Sequence, residues 1–317
     1  MSARADAFLF AGQGAQYVGM GSELFAQGQT DLFEEADDAL GEALTDVMFR
    51  GSEADLTLTR NTQPAILTLS LVHHQMLIQA GLRPLVLLGH SLGEYAAWVA
   101  AGSLSFRDAV QIVRLRGEAM QEAVPVGVGA MSSIVSAAAQ EVEALCDEVS
   151  AETGQTLCVS VYNCPGNTVV SGHAEAVAEI GARVELLGLG RVIPLKVSAP
   201  FHCPLLAPAA KRLEAALEQV ELKANLLPVV PNVTASVVAP GASAQTIRAL
   251  LVRQVVEAVR WEESLRAAIE FGATRSVCLG PGTALRSHMK RVSRRFALVS
   301  MDDSDQRKRL LEESIND

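Results

Sequence analysis

The chain runs to 317 residues with 36 acidic and 26 basic side chains, a formal net charge of −10, and 49% hydrophobic residues. That length buries a substantial core as one large or two modest domains, and the acidic balance argues against a general nucleic-acid binder, which needs a basic footprint. No uninterrupted apolar run approaches the roughly 20 residues that cross a bilayer. The start, Met-Ser-Ala-Arg-Ala-Asp, lacks a signal-peptide layout, so a cytoplasmic protein without membrane attachment is expected.

Residues 8–11 read as a strand that ends in the glycine-rich turn Gly12-Gln-Gly-Ala-Gln16. Helical spacing follows over 31–49 and 63–80, and then a short, fully apolar run at 85–88, the form of a buried parallel strand. That run ends in Gly89-His-Ser-Leu-Gly93, a Gly-x-Ser-x-Gly elbow, after which Leu92, Ala96, Val99 and Ala100 recur at helical spacing until Gly102. Such an elbow exposes a serine hydroxyl and aims backbone N–H groups at one point, two of the parts an acyl-enzyme needs. Ser91 is the candidate nucleophile; the competing reading is a glycine-lubricated turn with a capping serine. A helix over 106–123 completes a first third in which strands and helices alternate, the signature of an α/β architecture.

Pro125-Val-Gly-Val-Gly129 reads as a hinge. Beyond it the pattern gives a strand at 129–135, a helix at 140–153 and a strand at 157–162. The turn Asn163-Cys-Pro-Gly-Asn167 leads to a strand at 168–171, a helix at 174–187 and a strand at 191–197. That βαββαβ order is the ferredoxin-like arrangement. The expected organisation is a discontinuous large α/β domain, residues 1–124 and 199–317, with a small ferredoxin-like domain, 125–198, inserted into it. The α/β rhythm resumes with a helix at 204–219, a strand at 228–233, helices near 244–255 and 261–271, and a strand at 275–279. The turn Gly280-Pro-Gly282 precedes a basic helix, and the charged tail, 302–317, is expected as a frayed surface helix.

A nucleophilic serine needs a base, and six histidines compete for the role. His73 and His74 on a helix, His173 at a helix start and His288 in the basic helix read as structural or exposed. His90 is expected to point away from Ser91 while lining the pocket. His202, in Ser198-Ala-Pro-Phe-His-Cys-Pro204, sits in a strand-to-helix loop held by two prolines, where the small domain rejoins the large one. Spacing alone leaves it open whether His202 is a catalytic base or an ordinary loop residue. Arg116 falls at the edge of the apolar face formed by positions 109, 110, 113, 117 and 120, where an arginine can simply snorkel along its neighbours. The five cysteines are scattered without a Cys-x-x-Cys pair, which argues against a zinc site or a disulfide framework. A local basic run at 286–295 reads either as a solvated helix face or as a dock for an acidic partner.

Six motifs occur in order along residues 7–301: Gly12-Gln-Gly-Ala-Gln16, Thr62-Gln-Pro-Ala65, Gly89-His-Ser-Leu-Gly-Glu-Tyr95, Arg116-Gly-Glu-Ala-Met-Gln121, Pro200-Phe-His202 and Gly280-Pro-Gly282. Together they closely resemble the malonyl-CoA:acyl-carrier-protein transacylases, including the stand-alone acyltransferases that serve polyketide synthases. The resemblance implies a hydrolase-like large domain with a parallel sheet and a ping-pong transfer. Malonyl-CoA would acylate Ser91, and the phosphopantetheine thiol of an acyl carrier protein would take the malonyl group, for polyketide or fatty-acid synthesis.

By the same resemblance His202 is the base in a Ser–His dyad, and a backbone carbonyl at Gln254 replaces the acid of a triad. The N–H groups of Gln13 and Leu92 form the oxyanion hole, and Arg116 holds the malonyl carboxylate as a bidentate pair. Phe201 closes the pocket near C2 of the substrate, favouring malonyl over methylmalonyl, and Gln63 and Asn163 match positions near the pocket. Neither metal nor redox cofactor is implied. Carrier proteins are usually acidic, so Arg286, Lys290, Arg291, Arg294 and Arg295 are the expected docking residues. Three other readings compete: a proofreading hydrolase of carrier-protein thioesters, which would commonly lack Arg116; a non-catalytic carrier-binding subunit, which would lose Ser91 or His202; and a general esterase, which would add a late acidic triad member.

Overall fold

The computed structural model describes residues 5–197 and 199–315. Its strands, in chain order, are β1 (Asp6–Phe10), β2 (Pro84–Gly89), β3 (Gly129–Val135), β4 (Leu157–Cys164), β5 (Asn167–His173), β6 (Arg191–Pro194), β7 (Val229–Val230), β8 (Arg275–Leu279) and β9 (Ala297–Ser300). They form two sheets, one of five strands in the order β7-β2-β1-β8-β9 and one of four in the order β4-β5-β3-β6.

The five-stranded sheet is parallel throughout. Every residue of β1 is buried, and β2 nearly so, because helices cover both faces of a parallel sheet. The register places Phe10 opposite both Gly89 and Leu279, so β1, β2 and β8 finish level at one edge. The loops leaving those ends carry Gln13, Ser91 and Pro281. Ligands of open α/β sheets bind at this carboxyl edge.

The four-stranded sheet is antiparallel in βαββαβ order, with helices Ala139–Thr153 and Ala174–Leu186. Its helix-covered face has a separate core that includes Ile134, Val142, Val149, Val170, Val177 and Ile180. The other face sends Met131, Val161 and Val169 into the core of the large sheet. Val159 and Val161 would share a face in a regular strand, yet they enter different cores. A register shift between them, the mark of a β-bulge, accounts for the switch. The architecture is α/β: a hydrolase-like parallel sheet with an inserted ferredoxin-like unit. Ser198, the last residue of the expected 125–198 segment, lies outside the described residues, as do 1–4 and 316–317.

Several elements differ from the sequence pattern for local reasons. The helix expected over 31–49 is two, Asp31–Leu40 and Leu44–Arg50, because Gly41 turns left-handed at φ 63°. Pro64 resembles a helix start, but the helix Thr59–Gln79 begins five residues earlier and takes Gln63 into its buried first turns. The strand expected over 228–233 contracts to β7 between Pro228 and Pro231, which cannot donate to a ladder. Likewise β6 stops at Pro194 rather than 197. The helix expected over 204–219 begins as a 3₁₀ turn, Pro204–Leu206, before Ala207–Leu217. β9 has no clear alternating pattern and was not expected. The tail helix, Ser304–Ile315, is docked: Leu310 is buried and Arg307 Nη1 donates to Met301 O at 2.7 Å.

Candidate active site

The elbow forms because no side chain fits at its flanks. A Cβ on Gly89 would stand 1.9 Å from the carbonyl carbon of Gly93, and one on Gly93 would stand 2.3 Å from Phe10 O. Between them Ser91 is held at φ 51°, a left-handed conformation that L side chains rarely adopt. Its Oγ lies 2.8 Å from His202 Nε2. His202 is itself left-handed, at φ 57°, and its Nδ1 lies 2.7 Å from Gln254 O. A carbonyl can only accept, so Nδ1 carries the proton and Nε2 is the bare nitrogen facing the serine O–H. Burial first, then the positive charge of Arg116, pushes His202 down to about 3. The imidazole is neutral at pH 7.

Gln254 is a junction of the site. Its main-chain oxygen receives His202, and its side-chain Oε1 accepts from Arg116 Nη2 at 3.0 Å. Its Nε2 donates to Ser91 O at 2.9 Å and to Glu94 Oε2 at 2.7 Å. Asn232, in the loop after β7, braces the elbow from the other side. Its Oδ1 accepts the Ser91 N–H at 2.8 Å and its Nδ2 donates to Gly89 O at 2.7 Å. The Ser91 N–H is therefore occupied. The N–H groups of Gln13 and Leu92, by contrast, have no acceptor among the described residues.

Arg116, at the edge of its helix's apolar face, is 1% exposed and reaches the serine from behind. Nη1 donates to Gln63 Oε1 at 2.8 Å, and Nη2 donates to Ser91 Oγ at 3.2 Å as well as to Gln254. The guanidinium carbon sits 5.4 Å from the centre of the Tyr95 ring. Its acceptors are all neutral and its Nε is buried without a partner. Arg114 is turned elsewhere, to Asn61 Oδ1 at 2.6 Å and Glu42 at 3.0 Å.

A cavity of about 230 Å³ opens in front of Ser91 and His202. The small sheet supplies part of its wall with Met131, Val161 and Val169, and Phe201 and Gln13 line it too. His90 lines this cavity. Its Nε2 is 2.9 Å from Asn163 Oδ1 and its ring meets Trp261 edge-on at 5.3 Å, far from the role of a base. Gln63, Asn163, Phe201 and Gln254 are thus all brought to the site. The basic helix Ala284–Val292 reaches the same cavity through Ala284, Leu285 and His288, while Lys290, Arg291, Arg294 and Arg295 are exposed and Arg286 is half-buried. His73 is structural: its Nδ1 accepts the Gly280 N–H at 3.0 Å.

Sequence reasoning missed Asn232 and Glu94. Glu94 carried one signal, a carboxylate in an otherwise apolar helix, Gly93–Ala100, where every other buried position is small or aromatic. Asn232 carried none beyond its place just past a strand end. Among the described residues no group of three His, Cys, Asp or Glu side chains could hold a metal ion, and no helix is long and apolar enough to cross a membrane.

The acyl transferase domain family matches residues 7–295. The malonyl CoA-acyl carrier protein transacylase of Bacillus subtilis (strain 168) is 42% identical over 301 residues, 94% of each chain. That of Escherichia coli (strain K12) is 39% identical over 289 residues, 90% of this chain and 92% of the relative. Among solved structures, the transacylase of Coxiella burnetii superposes with a TM-score of 0.92 at 35% identity, covering 99% of this chain and 97% of the other. A malonyl-transacylase solved in complex with a type II polyketide synthase acyl-carrier protein gives 0.93 at 37% identity, covering 98% and 99%.

Proposed function

From the premise that this chain belongs to the acyl transferase domain family, as a malonyl-CoA:acyl carrier protein transacylase, we propose that Ser91 and His202 are the dyad through which it moves the malonyl group. The observation that carries this reading is the line Ser91 Oγ, His202 Nε2, His202 Nδ1, Gln254 O, with contacts of 2.8 and 2.7 Å. Ser91 Oγ attacks the thioester carbonyl of malonyl-CoA as its proton passes to His202 Nε2. The oxyanion forms beside the Gln13 and Leu92 N–H groups, each such donor being worth about 2.7–4 kcal/mol in the transition state. The C–S bond then breaks, His202 returns the proton to the CoA sulfur, and the phosphopantetheine thiol of the carrier protein reverses these steps.

Arg116 binds the malonyl carboxylate in place of its neutral acceptors. That pairing also removes the charge that depresses His202, so the base gains strength when the right substrate is bound. A buried arginine of this kind has no use in a hydrolase of simple acyl groups, which favours the transferase. Phe201 sets the room beside C2. Arg286, Lys290, Arg291, Arg294 and Arg295, on and just after a helix that lines the cavity, form the docking surface for the acidic carrier protein. We also divide the chain into a large domain, 1–124 and 199–317, and a small one, 125–198. We place the enzyme in the cytoplasm, a reading supported by five free cysteines.

Intact mass after incubation with malonyl-, methylmalonyl- or acetyl-CoA tests the reading. The expected result is a malonyl adduct on wild type that Ser91→Ala abolishes, with acetyl loading gained in Arg116→Ala. Failure to load malonyl while other acyl groups load or hydrolyse would move the assignment to the proofreading hydrolase.

A further inference from the structure

The carboxylate of Glu94 is completely buried beneath the elbow and has no part in the steps above. Its surroundings are all donors. Asn232 N donates to Oε2 at 2.9 Å, Gln254 Nε2 to the same oxygen at 2.7 Å, and Trp98 Nε1 to Oε1 at 3.2 Å. Neighbours that only donate favour the ionised carboxylate, whereas burial opposes it, and a buried anion needs a cation. The cation is Arg116, and the two do not touch. They meet through the side-chain amide of Gln254, whose Oε1 takes Arg116 and whose Nε2 gives to Glu94. The amide cannot reverse without turning its NH₂ toward the guanidinium, so Glu94 fixes which way Gln254 faces.

We propose that Glu94 is a positioning residue that orients Gln254 between Arg116 and the dyad, and that it takes up a proton when the malonyl carboxylate binds Arg116. This rests on the assignment of Arg116 to the malonyl carboxylate. The reason is charge balance in a closed space. The free site holds one cation and one acid. Malonyl loading adds a second carboxylate next to the same cation, and two buried anions cannot share it without one becoming neutral. The malonyl group makes the closer, direct pair, and Glu94 gives way.

The groups that face Glu94 allow this exchange. Arg116 approaches from the helix Phe106–Glu122, Tyr95 lies beside Glu94 on its own helix, and Asn232 and Gln254 are neutral. Burial, opposed by the three donors and by Arg116, holds Glu94 at about 7, where it titrates under working conditions. The acyl transfer itself releases and consumes no net proton, because the serine proton ends on the CoA thiol. Any uptake on loading therefore reports a side chain.

The test is stoichiometric loading with malonyl-CoA near pH 7 in a weak buffer with a pH indicator, the adduct being counted by mass in the same sample. Wild type is expected to take up a fraction of a proton per malonyl-enzyme near pH 7, rising toward pH 8 as more of the free enzyme's Glu94 is ionised. Loading with acetyl-CoA, which adds no carboxylate, should take up none. Glu94→Gln should load malonyl with no uptake and with a lower kcat, since its NH₂ has to face a donor, either Trp98 Nε1 on one side or Asn232 N and Gln254 Nε2 on the other. A malonyl adduct formed by wild type without proton uptake overturns the inference, and that outcome does not depend on the variant folding. Uptake that persists in Glu94→Gln would assign the proton to His202 instead and also overturn it. If no malonyl adduct forms at all, the Arg116 assignment fails rather than the role of Glu94.

Discussion

The two sheets contribute to one cavity in unlike ways. The parallel sheet and its loops bring polar groups, and each is tied: Ser91, Asn232, Gln254, Glu94 and Arg116 share hydrogen bonds of 2.7–3.2 Å in a region nearly closed to solvent. The inserted sheet brings Met131, Val161 and Val169, side chains that pack by shape and carry no charge, with a single polar group among them, Asn163, which meets His90. A buried polar network is sensitive to every member, because each loss strands a partner without water. An apolar wall yields more gently, since a methylene more or less changes contacts but leaves nothing unpaired. The contrast teaches where chemistry and where selectivity should reside.

Removal of a member of the proposed dyad should break the polar side most completely. His202→Ala is expected to lower kcat by about 10⁴–10⁶, measured as single-turnover malonyl transfer, in the range that loss of a base in a Ser–His pair costs. Arg116→Ala comes next. Truncating one partner of a buried charge pair costs about 2–5 kcal/mol, so kcat/KM for malonyl-CoA should fall by about 30–4,000-fold while that for acetyl-CoA does not fall. A drop of the same size for both substrates would mean that Arg116 supports the fold rather than the carboxylate.

pH separates the two regions in another way. His73 and His288 are pushed down to about 3, and His74 to about 4, chiefly by burial, as is His202. All four belong to the parallel sheet, its helices or its loops. Below pH 6.5 the unfolded chain binds protons at these histidines and the folded chain does not. The stability they contribute is thus complete above 6.5 and is lost as pH falls toward 4. Chemical denaturation at pH 7 and pH 5 should show the loss, and hydrogen exchange should place it in the large region. For the same reason kcat/KM should not fall between pH 7 and pH 5, where an ordinary histidine base would already be protonated.

On the apolar side the effects shrink. Phe201→Ala should improve methylmalonyl-CoA relative to malonyl-CoA by about tenfold, since one methyl in such a pocket is worth about 1–3 kcal/mol. If the ratio stays fixed, the wall that selects at C2 lies elsewhere, with Met131 or Val161 the neighbours to change next.

The same contrast governs what could be read from the sequence. The elbow was legible because it is local: two glycines and a serine between an apolar run and a helix leave few conformations. The βαββαβ unit was legible because each element keeps its own periodicity. His202 was only a candidate, since its pairing with Ser91 spans 111 residues and no periodicity records that. The depth at which Arg116 lies was not legible, because a helical wheel shows one helix's faces, whereas its burial comes from the helices Thr59–Gln79 and Ala244–Val256 packed around it. Asn232 was illegible as a site residue and Glu94 nearly so, because most of their partners come from other segments. β9 escaped because an edge strand of four residues needs no amphipathic pattern.

The smallest effect expected is at the surface. Lys290 and Arg291 are exposed on the last turn of a helix whose inner residues line the cavity, so a bound acidic domain there would have its phosphopantetheine arm close to Ser91. Rim charges act on encounter more than on the bound state, and salt screens them within about 8–10 Å. Lys290→Glu combined with Arg291→Glu should raise KM for the carrier protein several-fold at low salt, less at high salt, and leave both KM for malonyl-CoA and the yield of acyl-enzyme unchanged. Because the proposed acyl-enzyme forms before the carrier arrives, this split separates docking from chemistry. An equal rise in both KM values would instead put these cations on the CoA side of the channel, and no change in either would return the basic helix to a solvated face.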